Sequence, residues 1–109
     1  MIGRYRLLPA ADRDLDEQAG YLADNASLET ALRYYDNAAA SFATIAGMPG
    51  MGEHWESADL RLAGLRVWRI EGFEKHLIFY RHGDDGIDIV RVLHGARDIP
   101  SILESAAEE

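Results

Sequence analysis

The strongest constraint on this chain lies in its last third. Three apolar runs stand close together: Leu65-Arg66-Val67-Trp68-Arg69-Ile70, His76-Leu77-Ile78-Phe79-Tyr80-Arg81 and Ile89-Val90-Arg91-Val92-Leu93-His94-Gly95-Ala96-Arg97-Asp98. Each is rich in β-branched and aromatic residues, the composition of strands. Read as strands, they make a small antiparallel sheet studded with guanidinium groups. Gly83-Asp84-Asp85-Gly86 between the second and third runs signals a hairpin, with a tight two-residue turn and a longer one equally compatible. The surroundings are acidic, and a chain that gathers its positive charge on one sheet points to a partner for that charge.

The balance of charge narrows the partner. The net charge is −8 over 109 residues. Residues 1–60 hold four arginines against ten carboxylates, whereas residues 61–97 hold seven basic side chains against five. A protein that grips phosphate backbones broadly carries a basic excess, which supplies most nonspecific affinity. This composition therefore argues against general or sequence-specific nucleic-acid binding. No cysteine is present, so neither a disulfide framework nor thiolate chemistry is available. No run approaches the roughly 18 apolar residues of a spanning helix, so a soluble, cytoplasmic protein with no membrane partner is expected.

Residues 2–8 read as a first strand, with Tyr5 and Leu7 on one face and Ile2, Arg4, Arg6 and Leu8 on the other. Pro9 ends it. Ala10 to about Asp24 reads as a helix, because Ala11, Leu15, Ala19 and Leu22 recur at helical spacing. Asp12, Asp14, Asp16 and Glu17 crowd its first turns, where carboxylates favour the positive end of the helix dipole. They are expected to be solvated rather than to hold a metal, since no histidine lies near and the spacing fits no metal loop. Ser27 is a natural N-cap for a second helix running to about Ala46. Its apolar stripe is Leu28, Ala31, Tyr35, Ala38, Phe42 and Ile45, with Leu32, Tyr34 and Ala39 off the stripe. Gly47 and Pro49 stop it, and residues 47–64 form an irregular segment pinned by Trp55 and Leu60.

The three strands follow, then Asp98 as the cap of a short helix through Ile99, Ile102 and Leu103. Ser105 to Glu109 is expected to fray. The result is one α+β domain over residues 1–109, ordered β-α-α-β-β-β-α. A helical hairpin covers one face of a mainly antiparallel four-stranded sheet and leaves the other face to solvent or a partner.

These words resemble the RelE/ParE superfamily of toxins from type II toxin–antitoxin modules, with the ParE branch the closer match. The resemblance runs through Tyr5-Arg6-Leu7, Ala10/Ala11, Asp14-Leu15, Tyr21, Ala31 and Tyr34/Tyr35. It continues through Pro49-Gly50-Met51-Gly52 and Gly64-Leu65-Arg66-Val67-Trp68 to the ending from Ile78 to Ile99. Each word is weak alone; their shared order over about 95 residues is what carries the resemblance.

The resemblance implies a small bacterial toxin held in a hetero-oligomer by a ParD-like antitoxin. ParE-type toxins poison DNA gyrase, which needs no catalytic residue or cofactor, only a surface that binds one state of a large enzyme better than another. The candidate target-binding residues are Arg66, Arg81, Arg91, His94 and Arg97. The antitoxin is expected on Leu22, Leu32, Tyr35 and Ala39, with an acidic tail reaching Arg66, Arg81 and Arg91. RelE-type toxins instead cut messenger RNA on the ribosome. That alternative needs a general base and a phosphate clamp, for which His94, Arg81 and Arg97 are the candidates, with His76 and His82 as further histidines. A third reading is a non-toxic binding module of the same fold.

Overall fold

A computed structural model describes residues 3–107 of the chain. Met1, Ile2, Glu108 and Glu109 lie outside the described residues, and with them one residue of the expected first strand and the end of the expected frayed tail. The elements are β1 (Tyr5–Leu7), α1 (Pro9–Asn25), α2 (Leu28–Gly47), β2 (Glu53–His54), β3 (Arg66–Ile70), β4 (Phe73–Gly83), β5 (Gly86–His94) and α3 (Ile99–Ala107). Short 3₁₀ turns at Pro49–Met51 and Leu60–Leu62 interrupt the segment between α2 and β3. Among the described residues no helix is long and apolar enough to cross a membrane.

The sheet has the order β1-β5-β4-β3-β2. β1 runs parallel to β5, and the other pairs are antiparallel. The four expected strands are present, and the two-residue β2 extends the sheet at one edge. Gly83 pairs with Gly86, so Asp84 and Asp85 alone form the hairpin loop. Gly86 has φ +119°, and a Cβ there would stand 2.1 Å from the Arg4 carbonyl oxygen, so both conformation and space require glycine. Ile87 N–H donates to that same carbonyl at 2.9 Å, which joins β1 to β5.

The Ser27 hydroxyl accepts from Thr30 N–H and starts α2 as its sequence requires. The helix then buries a face rotated from the expected one. Tyr34 is fully buried, whereas Leu28 is 68% exposed and Tyr35 37%. The row Ala31, Tyr34, Ala38, Phe42, Ile45 satisfies helical periodicity as well as the row through Tyr35 does. What selects it is tertiary: the Tyr34 hydroxyl finds polar partners on α1 and β4.

The sheet is buried on both faces. Ile70, Ile78, Tyr80, Ile87, Ile89 and Val92 pack beneath the α1–α2 hairpin. On the opposite face Leu62, Leu65, Phe79, Leu93, Ile99 and Leu103 form a second, smaller core. The expectation that this second face is open is therefore corrected: α3 and the Leu60–Leu62 turn cover it. The irregular segment is pinned by Trp55, whose ring meets Phe79 edge-on at 5.3 Å, and by Leu62. Leu60 is 88% exposed and pins nothing. Trp68 and Tyr80 face the hairpin core while Phe79 faces the other, as strand alternation demands.

Candidate functional site

The acidic start of α1 is not uniformly solvated. Asp14 is buried and takes both Nε and Nη2 of Arg91, at 2.7 and 2.8 Å. The same carboxylate accepts Val92 N–H at 2.9 Å, while Gln18, one turn later, donates to the Val92 carbonyl at 2.7 Å. β1 pairs with β5 only as far as Ile89, so the edge of β5 beyond it would be left unpaired. Asp14 and Gln18 lie four residues apart on one helix face and bond the edge in place of a strand.

Gln18 also anchors a polar cluster beneath α2. Tyr34 Oη donates to Gln18 Oε1 at 2.8 Å, and His76 Nδ1 contacts the same oxygen. Because the Gln18 amide nitrogen is committed to Val92, Oε1 is an acceptor and the His76 proton sits on Nδ1. Burial, helped by the neighbouring His94, lowers the His76 pKa to about 4, so the ring is neutral. Burial raises the Tyr34 pKa far above its usual value. His94 lies edge-on to His76 at 5.1 Å, and its Nδ1 accepts Ala96 N–H at 3.0 Å, which fixes the turn into α3.

The remaining expected site residues are distributed rather than gathered. Arg66 Nη1 donates to the Gly52 carbonyl at 2.6 Å, and Nη2 faces the His54 ring at 3.3 Å, so this arginine holds the irregular segment against β3. Arg81 donates to the Arg61 carbonyl at 3.3 Å. Arg97 is exposed beside Asp98, and Asp98 caps α3 by accepting Ile102 N–H on its carbonyl and the Ser101 hydroxyl on its carboxylate.

Two adjoining cavities open beside the start of α1 and share Ala10, Arg13 and Arg91. One, of about 650 Å³, is lined by Arg13, Arg61, Arg81 and Arg91 together with Leu8, Pro9, Leu62, Val90 and Leu103. The other, of about 440 Å³, holds Arg97 along with Asp14, Glu17 and Asp98. Arg81 and Arg97 thus face different cavities, and His94 lines neither. Sequence reasoning missed Arg13 and Arg61. Nothing local marks them for this cleft, because Arg81 and Arg91, which share its lining, lie twenty or more residues away along the chain.

The helical hairpin also exposes a row of apolar side chains along α2. Leu28 and Leu32 are 68% and 56% exposed on α2, and Tyr35 and Ala39 continue the row. Leu22 is half-buried against the main core. The Tyr35 hydroxyl donates to Asp16 at 2.6 Å, which ties the two helices at this face and lifts the phenol pKa to about 12.

This arrangement has known counterparts. The family described as "ParE toxin of type II toxin-antitoxin system, parDE" matches residues 5–99. The chain belongs to the ParE toxin family. A solved structure titled "Chromosomal ParDE TA system from P. aeruginosa" superimposes on this ParE-family chain with a TM-score of 0.69 at 17% identity, over 85% of this chain and 96% of that one. At that identity the likeness shows the fold: a sheet, a helical hairpin and a short C-terminal helix. No curated protein matches the chain.

Proposed function

We propose that this ParE-family chain is neutralised by a cognate ParD-like antitoxin laid across the outer face of its helical hairpin, and that it acts in the cytoplasm by poisoning DNA gyrase. The observation that carries the antitoxin reading is the solvent-facing row of Leu28, Leu32, Tyr35 and Ala39. Residues four, three and four apart on one helix face offer the anchors that an amphipathic partner helix fills. Exposed apolar surface of this kind on a small domain marks an interaction site.

The antitoxin tail reaches the arginines on the sheet. Arg66 is engaged with loop carbonyls and Arg91 is neutralised by Asp14, which leaves Arg81 as the sheet arginine that an acidic tail meets most readily. For the gyrase reading, the toxin needs no reacting group. It shifts the enzyme toward its cleaved state by as much as its affinity differs between states.

The test is a gyrase cleavage assay on supercoiled plasmid with the purified chain. Accumulation of linear, protein-linked DNA that disappears on adding the antitoxin is the expected result. Folded chain that yields neither cleavage nor loss of supercoiling overturns gyrase as the target.

A further inference from the structure

We propose that the arginine-lined cleft at the start of α1 binds the phosphate of a nucleotide, with the sugar and base on its apolar floor. Its volume, about 650 Å³, is that of a small-molecule site. Four guanidinium groups line it, and no carboxylate does. Two of them are balanced from outside the lining, Arg91 by Asp14 and Arg61 by Asp59. Among the described residues Arg13 and Arg81 have no ion-pair partner. A chain of net charge −8 thus holds a surplus of two positive charges within this lining, bordered by Glu17 and Asp98 of the adjoining cavity.

The charge and shape select the ligand class. A phosphate monoester carries about −1.5 to −2 and three acceptor oxygens, which matches that surplus; a single carboxylate balances half of it. Guanidinium forks suit phosphate oxygens in paired, charge-assisted hydrogen bonds. The start of α1 adds to the same field. Leu8 and Pro9 line the cleft, and Leu8 at the N-cap offers no side-chain cap, so the uncapped positive end of the helix borders it. Leu62 and Leu103 are buried beneath, and the apolar floor left open is Leu8, Pro9 and the half-buried Val90. Inorganic phosphate leaves this floor wet, whereas a nucleotide covers it. A free mononucleotide and the phosphorylated end of a strand present the same chemistry.

The proposal is independent of the gyrase reading and is tested on the full chain by amide NMR titration. The probes are thymidine 5′-monophosphate, thymidine, inorganic phosphate and a short oligothymidylate with and without a 5′-phosphate. Thymidine 5′-monophosphate is expected to shift the amides of Ala10, Ala11 and Arg13, to bind more tightly than inorganic phosphate, and to lose roughly tenfold to a hundredfold in affinity in the Arg13→Gln/Arg81→Gln variant. Arg13→Gln alone, at an exposed helix position, weakens binding if the double variant does not fold, and Arg33→Gln on α2 leaves binding unchanged. Tighter binding of the 5′-phosphorylated oligonucleotide than of the mononucleotide identifies a strand end as the ligand; equal or weaker binding identifies the free nucleotide. Shifts that map elsewhere, binding of thymidine as strong as of its monophosphate, or undiminished binding by the arginine variants overturns the proposal.

Discussion

Asp14 grips Arg91 with both oxygens, at 2.7 and 2.8 Å, and the two side chains are only 5% and 16% exposed. The pair joins α1 to β5 at the point where β1 no longer covers the sheet edge. It therefore has two duties: it neutralises a nearly buried guanidinium and it satisfies the Val92 N–H. An ion pair so placed adds little over an apolar substitute of the same shape, but removing one partner leaves the other uncompensated.

Asp14→Ala is expected to lower stability by about 3 kcal/mol, since it strands both Arg91 and the Val92 N–H. Urea unfolding of variant and parent measures this. A loss below about 1 kcal/mol, the range of an exposed pair, would show that water replaces the carboxylate.

Tyr80 ties the irregular segment to the sheet. Its hydroxyl accepts Gly52 N–H at 2.9 Å and donates to the Pro49 carbonyl at 2.7 Å. Tyr80→Phe leaves both backbone groups without this partner and is expected to cost about 1–3 kcal/mol. Hydrogen exchange at Gly52 rises while exchange at β5 amides follows only the global change.

His76 gives the fold an acid sensitivity. Its folded pKa, about 4, lies below the ordinary 6.5, so the unfolded chain binds the proton more tightly. The stabilising contribution of the neutral ring is fully present above pH 6.5 and is lost as pH falls toward about 4. His76→Gln is expected to flatten the stability profile across that window, read from urea midpoints at several pH values. An unchanged slope assigns the acid sensitivity to other groups.

The hairpin row separates neutralisation from toxicity. Leu32 is 56% exposed, so Leu32→Glu leaves the fold intact. On the proposed function it weakens the antitoxin complex roughly tenfold or more, the scale of a truncated interface anchor, while activity on the target persists. Isothermal titration with the cognate antitoxin, beside thermal unfolding of the free chain, checks both halves.

The sequence by itself determined the elements and their order. Helical spacing in α1, the Ser27 cap, the Gly47 and Pro49 stop, the Asp98 cap and the hairpin within residues 83–86 are local signals, written within a few residues of where they act; that its loop is two residues long came from the strand register. They also carried the family resemblance and placed Leu32, Tyr35 and Ala39 on one helix. Tertiary structure alone decided which face of α2 is buried. Tyr34 and Tyr35 are adjacent and chemically alike, and Tyr34 goes inside because Gln18 and His76 supply its hydroxyl with partners from 16 and 42 residues away. The same holds for charge: the partner of Arg91 stands 77 residues earlier, and Arg13 meets Arg81 across a cleft that no short window of sequence contains. Periodicity is a property of one element and is legible in one element. Burial, ion pairing and the shape of a cleft belong to surfaces that meet only when the chain has closed on itself.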